Sequence, residues 1–416
     1  MNVGVGAPAP AAGAAPPEPP RGPFRIGLGE VTGAVADLGT FVPLATALIL
    51  VNGLDATSVL VCAGLLAIAA GVVFRVPFPV QPLKALTAVA VASGLAPEVI
   101  HIAGLELAGF LLLLSIAGVA DAIARVFTKP VVRALQLGVG VLLVVTAARL
   151  VTDPPDVFAA TPSTPWPWFL AIGAFAVVVV AARTRRYWAA LVVLAGGAAV
   201  AAFVATPDLA ALTPALPRFT APDLSQAGTA LFLLVIPQLP LTFGNAVVAV
   251  SDLSHDYFGP GGARVSPSRV CRLAGAGNGL AAVLGGMPMC HGSGGLTAHV
   301  RLGARSAGMN LLLGGGLITM GVLLGAQVPE VLGLLPSWGL AAFLAYAGLR
   351  HAGLVADLRG VPLVAAIVAG ALGAWLGNLA VTAVIALAVA HLPILWPNLW
   401  PSRRRMRSGT AGTLGR

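Results

Sequence analysis

The chain has 416 residues, of which 58% are hydrophobic and only 9% are charged, and its mean hydropathy is +0.93. Soluble globular proteins of this length do not contain so much apolar surface, so the composition predicts a polytopic membrane protein. The net charge of +9 comes from basic residues that stand singly between apolar segments. That placement is typical of membrane topology and argues against nucleic-acid binding.

The chain divides into two hydrophobic halves. Residues 1–24 are rich in Ala, Pro and Gly and lack a cleavable apolar core, so we interpret them as a disordered tail. Residues 25–205 form a first repeat of seven segments, and residues 225–393 form a second. The stretch 206–224 is rich in proline and reads as the linker. Residues 394–416 are expected to be a basic cytoplasmic tail.

Fourteen apolar segments can be marked in the sequence, and some are shorter than the roughly 20 residues that span a bilayer. They lie at about 27–51, 56–74, 79–95, 99–124, 130–151, 167–182, 187–205, 225–250, 268–287, 290–304, 308–327, 331–349, 353–371 and 374–392. We predict an all-α membrane protein with about 14 transmembrane segments in a 7+7 inverted repeat. When a repeat with an odd number of segments is duplicated once, the two copies have opposite orientations in the membrane.

The basic residues give an independent check of this topology. With a cytoplasmic N-terminus and this number of crossings, nearly all of the 24 lysines and arginines fall on the inside. The exceptions are Arg149, Arg218 and Lys84. Since positive charges favour the cytoplasmic side, the pattern predicts that both termini are cytoplasmic.

The first span contains a carboxylate, Asp37. A charge inside a membrane helix is costly unless it is paired or hydrated, so Asp37 is a candidate for proton coupling or for structural anchoring to a neighbouring span. Gly39 and Pro43 predict local unwinding, which would let the backbone of Gly39 and Thr40 line a cavity.

The third segment opens with a short proline-bounded stretch, PVQPLK, at residues 79–84. A proline in the first turn favours a helix that begins here, with Gln81 and free N–H groups directed at a site. Lys84 either neutralises an anion or pairs with Asp37 or Glu106. Glu106, deep in the fourth span, is a candidate proton carrier, although a structural pairing fits it equally well.

The eighth span carries Gln238, Thr242 and Asn245. Their spacing of four and three residues places them on one helix face. Neutral donors of this kind can bind an oxyanion, but they also serve as polar contacts between membrane helices.

The tenth segment is the counterpart of the third. A glycine-rich turn that leads into a helix N-terminus is typical of an anion site. The candidate binding residues here are Cys290, His291, Gly292, Ser293, Gly294 and Gly295. Adjacent Cys and His side chains rarely face each other in a helix and no third orienting group follows, so we expect no enzyme activity. We also expect no metal site and no cofactor.

Several phrases together resemble one family. They are GEVTGAVADLGTFVP from Gly29, PVQPLKA from Pro79, FGNA from Phe243, PMCHGSGG from Pro288 and HVRLGARS from His299. They are similar to the molybdate transporter family, which is related to the SulP sulfate permeases. The resemblance implies core and gate domains with a site between the third and tenth half-helices, flanked by the first and eighth spans. SulP members usually end in a STAS domain. Because the tail after the last apolar segment is short, we expect this chain to lack that domain.

The residues and the resemblance both predict a secondary transporter for a tetrahedral oxyanion, molybdate or sulfate, that works by alternating access. The resemblance favours molybdate. The candidate proton carriers are Asp37, Glu106 and His291. Besides the oxyanion, the expected partners are protons and a lipid bilayer, with no nucleic acid, and a homodimer is left open.

The alternatives are a sulfate permease, a nucleobase carrier and a passive anion channel on the same fold. A nucleobase carrier is expected to have carboxylates in the eighth and tenth spans, where this chain has Gln238, Thr242, Asn245, Cys290 and His291. A membrane enzyme that uses Cys290 and His291 is a further alternative. The composition indicates a bacterial plasma membrane, that is, an inner membrane.

Overall fold

The computed structural model describes residues 22–35, 38–116, 128–154, 158, 166–184, 192, 195–200 and 213–395. The candidate proton carrier Asp37, most of the seventh apolar segment and most of both tails lie outside these residues. Within them the protein is almost entirely helical, as predicted.

Six helical runs in the described part of the chain are long and apolar enough to cross a membrane. They are Ala56–Phe74, Pro97–Leu114, Lys129–Thr152, Leu224–Arg264, Gly308–Gly333 and Ser337–Asp357. Four shorter apolar helices accompany them. The count of fourteen crossings stays a prediction, because residues 187–205 are mostly outside the described part.

The helices of the first half follow the apolar segments closely. They are α1 (Leu28–Ala34), α2 (Leu38–Leu50), α3 (Ala56–Phe74), α4 (Lys84–Ala92), α5 (Pro97–Leu114), α6 (Lys129–Thr152) and α7 (Pro167–Arg183). The unwinding predicted at Gly39 and Pro43 is wrong, since α2 is helical through both. The first helix instead ends earlier, where Val35 caps α1. A proline removes one backbone donor, a loss that membrane helices tolerate.

The second half contains a helix for each of its seven predicted segments, together with the short helix α12. These are α8 (Leu224–Arg264), α9 (Pro267–Val283), α10 (Ser293–Arg301), α11 (Gly308–Leu324), α12 (Val328–Gly333), α13 (Ser337–Gly353), α14 (Val361–Trp375) and α15 (Leu379–Leu395). α8 is irregular, because Leu231–Val235 and Thr242–Val248 have π-helical geometry. Such wide turns often occur at functional sites.

Local sequence explains where several helices begin. Asp55 caps α3 by accepting a hydrogen bond from the N–H of Ser58 at 2.7 Å. Prolines occupy the first turns of α5, α6 and α7, where a missing N–H costs no helix bond. These signals were readable in the sequence, and they fix the helix starts near the predicted positions.

The long helices pack in two groups. In the first bundle α3 packs on α11 and α5 packs on α9; in the second bundle α6 packs on α13, α14 and α15, and α7 packs on α13. Glycines allow the tightest crossings. A Cβ on Gly64 would lie 2.6 Å from the carbonyl oxygen of Gly314, and one on Gly140 would lie 2.5 Å from that of Gly348. Small residues at such crossings let helix backbones approach closely within a membrane.

Two short strands, β1 (Gln81–Pro82) and β2 (Met289–Cys290), precede the half-length helices α4 and α10. α4 contacts α2, α6 and α8, whereas α10 contacts α1 and α8. The fold thus places two interrupted segments, one from each half of the chain, beside the irregular helix α8.

Candidate functional site

The two half-helices meet through their preceding strands. β1 and β2 pair antiparallel, with Gln81 opposite Cys290 and Pro82 opposite Met289. The N–H of Leu83 donates to the carbonyl oxygen of Pro288 at 3.2 Å and extends this contact. Because each strand leads directly into a helix, the pairing brings the N-termini of α4 and α10 together, as the sequence predicted. Helix N-termini carry unpaired N–H groups and partial positive charge.

Two buried asparagines hold the extended segments that contain these strands. The amide of Asn310 on α11 donates to the carbonyl oxygen of Phe78 at 2.7 Å and accepts from its N–H at 2.9 Å. Asn278 on α9 does the same for Met289, at 2.9 and 2.6 Å. Both asparagines are fully buried. Sequence reasoning missed them, although a lone amide in an apolar span is the signal that could have found them.

A narrow cavity of about 20 Å³ lies beside the half-helix α4. Its lining residues are Lys84, Gln136, Val139, Gln238, Leu241, Thr242, Asn245, Ala246, Cys290 and His351. Five of the predicted site residues are therefore brought together. This volume holds about one water molecule, so a larger ion would enter only if a side chain moved.

Gln238 occupies the N-terminus of α4. Its side-chain oxygen Oε1 accepts hydrogen bonds from the backbone N–H groups of Ala85 and Leu86, both at 3.1 Å, and its Nε2 donates to Oγ1 of Thr242 at 2.9 Å. The prediction that the N–H groups after Gln81 are free is wrong for these two. The physical reason is that buried helix N-termini need an acceptor, and the facing helix supplies one.

Lys84 is the first residue of α4. Its Nζ donates to Oε1 of Gln81. Among the described residues it forms no ion pair, and the predicted alternative partner Glu106 does not line the cavity. Pairing with Asp37 concerns a residue outside the described part.

The glycine-rich turn of the tenth segment approaches the same point. A Cβ on Gly292 would lie 2.8 Å from Oε1 of Gln81, 3.4 Å from Nδ2 of Asn245 and 3.5 Å from Nζ of Lys84. The hydroxyl of Ser293 donates to Oδ1 of Asn245. The absence of a side chain at position 292 thus lets the turn approach these polar groups.

Cys290 and His291 do not face each other. Cys290 lines the cavity and its thiol lies 3.9 Å from the carbonyl oxygen of Pro82. The His291 ring turns away, where Nδ1 contacts the carbonyl oxygen of Pro79 at 2.8 Å and the ring packs on Phe78 with centroids 4.9 Å apart. His291 is fully buried and is not among the residues that line the cavity.

Other predicted residues do not line the cavity in the described part of the chain. They are Thr40 on α2, and Gly294 and Gly295 in the first turn of α10. The surroundings of Gly39 lie outside the described part. Glu106 on α5 also does not line the cavity, and its Oε2 is buried without a hydrogen-bond partner among the described residues. No cluster of metal-ligating side chains occurs in the described ranges.

The sequence pattern of the family described as "Molybdate transporter of MFS superfamily" matches residues 29–143 and 230–350, which is more than half of the chain. The chain belongs to this family. A curated relative, Molybdate transporter 2 of Arabidopsis thaliana, is 32% identical over 370 residues, and the match covers 79% of each chain. As a member of the molybdate transporter family the protein is a membrane transporter and not an enzyme.

Solved structures show the fold that this family member shares. The transmembrane domain of the cyanobacterial bicarbonate transporter BicA aligns with a TM-score of 0.58 and 19% identity, over 86% of this chain and 97% of that one. The murine anion transporter Slc26a9 in the inward-facing state aligns with a TM-score of 0.64 and 13% identity, over 90% and 70%. At these identities the likeness concerns the fold alone.

Proposed function

We propose that this protein is a secondary active transporter that carries molybdate by alternating access and with proton coupling. The observation that carries the proposal is the meeting of the α4 and α10 N-termini beside Lys84, in a member of a family whose curated relatives are named molybdate transporters.

The charge of the cavity supports an anionic substrate. Lys84 is the cationic side chain that lines it, and no carboxylate in the described part of the chain does so. The amides of Gln238 and Asn245 and the hydroxyl of Thr242 add hydrogen-bonding groups. A tetrahedral oxyanion accepts several such bonds at once, and bonds to a charged group are stronger than neutral ones. A nucleobase carrier has less support, because it is expected to place carboxylates here.

The substrate would replace Gln238 at the helix N-terminus. Oε1 of Gln238 occupies the N–H groups of Ala85 and Leu86, which are the donors that an oxyanion oxygen would use. Movement of this side chain would both enlarge the small cavity and free those donors. Gln238 is then a displaceable acceptor rather than a permanent substrate donor.

Alternating access requires two bodies. We assign the first bundle with α4 and α10 to the moving core, and the second bundle to the gate, within the two inverted repeats 25–205 and 225–393. The cavity lies where α4 meets α6. Motion of the core against the gate would expose this cavity to either side in turn.

The electrical cost of uptake supports coupling to protons. Moving a dianion against an inside-negative potential costs about 2.3 kcal/mol per charge for each 100 mV, so at least two protons are needed to cancel it. The candidate carriers are Asp37, Glu106 and His291. The distribution of basic residues supports a protein with both termini in the cytoplasm, and the composition favours the plasma membrane.

The proposal is tested by uptake of radiolabelled molybdate into proteoliposomes that contain the purified chain. Unlabelled molybdate, sulfate and uracil serve as competitors, and a proton gradient is imposed or collapsed. Stronger competition by molybdate than by sulfate supports the substrate, and equal competition would make the protein a general sulfate-type permease. Competition by uracil alone, or no uptake at all, would refute the oxyanion proposal. Unchanged uptake after collapse of the proton gradient would refute coupling.

A further inference from the structure

One wall of the cavity comes from the second bundle. Gln136 and Val139 lie on α6, and His351 lies near the end of α13. The remaining lining residues come from α4, α8 and β2. An ion held against α4 would therefore also face a histidine and an amide from the opposite side.

His351 lines this space and carries a ring nitrogen, Nδ1, that is buried and has no hydrogen-bond partner among the described residues. Buried polar atoms in native proteins are almost always bonded, so an exception beside a cavity indicates a group that acquires its partner when a ligand or water enters. A tetrahedral oxyanion offers that partner if Nδ1 carries a proton.

Gln136 is oriented by a chain of charged contacts. Arg133 donates from Nη1 to Oε1 of Gln136 at 2.8 Å, and its Nε and Nη2 bind the carboxylate of Asp357 at 3.0 and 2.6 Å. Since guanidinium groups only donate, the atom that faces Arg133 is the oxygen of the amide. The NH₂ group of Gln136 is therefore left as the donor end.

We propose that His351, assisted by Gln136, binds the substrate oxyanion from the gate side, with the imidazole in its protonated form. The inference rests on the proposed function, because it assigns a further contact of the same site. A proton from solvent forms the Nδ1–H bond, and the resulting imidazolium donates that hydrogen to an oxygen of the dianion. A dianion in the cavity and a proton on His351 stabilise each other, so their binding is linked.

Within the described part of the chain, two charged side chains act on this ring, and both are basic. Lys84 from α4 and Arg350 from α13 itself are close enough to act on it electrostatically. Four elements pack against α13: α2, α6, α7 and the short turn Leu354–Asp357. α2 has no charged side chain. The charged residues of the other three are Lys129, Arg133, Arg149, Arg183 and Asp357. Asp357 already binds Lys129 and Arg133. Asp357 is the one carboxylate on these elements within the described part of the chain, so a bound dianion would supply negative charge that their other described side chains do not.

The contact between His351 and the oxyanion would form and break during transport. α13 packs in the second bundle, whereas we assign the half-helices to the moving core, so motion of the core against the second bundle would change the distance between His351 and the ion. His351 would then strengthen binding only while the two bundles enclose the substrate. This predicts an effect on affinity and on its pH dependence, beyond any effect on folding.

The test measures equilibrium binding of molybdate, and in parallel of sulfate, to the purified full chain between about pH 5 and about pH 8. The wild type should bind its preferred dianion more weakly as the pH rises. His351→Leu should weaken binding at low pH by about tenfold or more, as expected for loss of a charged hydrogen bond. His351→Asn keeps a donor and should bind with intermediate affinity that no longer depends on pH. His255→Asn, at an exposed position of α8, is the matched control and should behave as the wild type.

Two results would overturn the inference while leaving the proposed function intact. One is wild-type affinity and pH dependence in both His351 variants. The other is a wild-type affinity that does not change over this pH range, a result that needs no variant to fold. Binding of sulfate in place of molybdate would refute the proposed substrate, and the His351 comparison would then be read with sulfate. A wild-type chain that binds neither dianion would refute the proposed function and the inference together.

Discussion

Asn310 holds both backbone polar groups of Phe78, accepting from its N–H at 2.9 Å and donating to its carbonyl oxygen at 2.7 Å. The two residues come from different halves of the chain, so this clamp joins the halves at the entrance to the half-helix α4. Asn278 forms the matching clamp on Met289. Each interrupted segment is therefore fixed by an amide from a long helix, which explains how extended backbone is tolerated at membrane depth.

Replacing either clamp should impair transport. Asn310→Ala or Asn278→Ala leaves a buried N–H and carbonyl unbonded, at a cost of roughly 1–3 kcal/mol each. We expect lower thermal stability and a larger loss of molybdate uptake than the stability change explains. Asn378→Ala, which removes a hydrogen bond to Ala380 at the start of α15, is the control and should lower stability without changing the KM. Normal uptake by both clamp variants would contradict the assigned role.

Gln238 can be tested with a change of one charge. In Gln238→Glu a carboxylate should bind the same N–H groups at the positive end of α4, so the folded protein should keep its stability. The added charge competes with the substrate, so the KM for molybdate should rise by about tenfold or more. Gln226→Glu, near the start of α8, is the matched control. An unchanged KM in Gln238→Glu would show that the oxyanion does not use this N-terminus.

Lys84 should set the anion affinity. Lys84→Gln removes the positive charge from the cavity and should raise the KM for molybdate by about tenfold or more, whereas Lys84→Arg should retain part of the affinity. Arg149→Gln removes an equal charge from an exposed position on α6 and should leave the KM unchanged. The measurement is initial uptake rate against substrate concentration. Equal KM values for the Lys84 and Arg149 variants would argue against an anion site at α4.

The glycine crossing of the second bundle should not accept a methyl group. In Gly140→Ala or Gly348→Ala the new Cβ would lie 2.5 or 2.6 Å from the carbonyl oxygen of the facing glycine, which forces the helices apart at a cost of about 1–3 kcal/mol. Gly173→Ala on α7 has no atom within 4 Å and should be neutral or stabilising by about 0.5–1 kcal/mol. Thermal unfolding monitored in detergent separates the two cases. Equal melting temperatures would indicate a looser crossing.

The ion pair between Arg133 and Asp357 should stabilise the fold more than the ion pair between Lys129 and Asp357 does. Arg133 is buried with 5% of its side chain exposed, while Asp357 is 36% exposed. Asp357→Asn removes the charge partner of a buried guanidinium and should destabilise the protein by roughly 1–3 kcal/mol. Lys129→Gln affects a more exposed pair and should cost less than about 1 kcal/mol. Similar melting temperatures for the two variants would contradict this ranking.

Much of the architecture could be predicted from local sequence. Apolar runs such as Ala56–Phe74 and Lys129–Thr152 match their predicted segments within a residue, because burial in lipid requires a continuous apolar helix. The pairing of two interrupted segments was also predictable, since short proline- and glycine-rich stretches stand at corresponding places in both halves. The helix boundaries of the first span were harder to predict. Gly39 and Pro43 were expected to unwind the helix, but α2 is helical through both.

The sequence by itself determined the membrane class, the approximate positions of the described helices, the family and five of the cavity residues, because hydrophobic length and local backbone chemistry can be judged within a single segment. Only the tertiary structure decided which polar groups meet. It assigned Gln238 to the N-terminus of α4, turned His291 away from the cavity, and placed His351 at it. These contacts join residues far apart in the chain, and their geometry depends on how the two bundles pack.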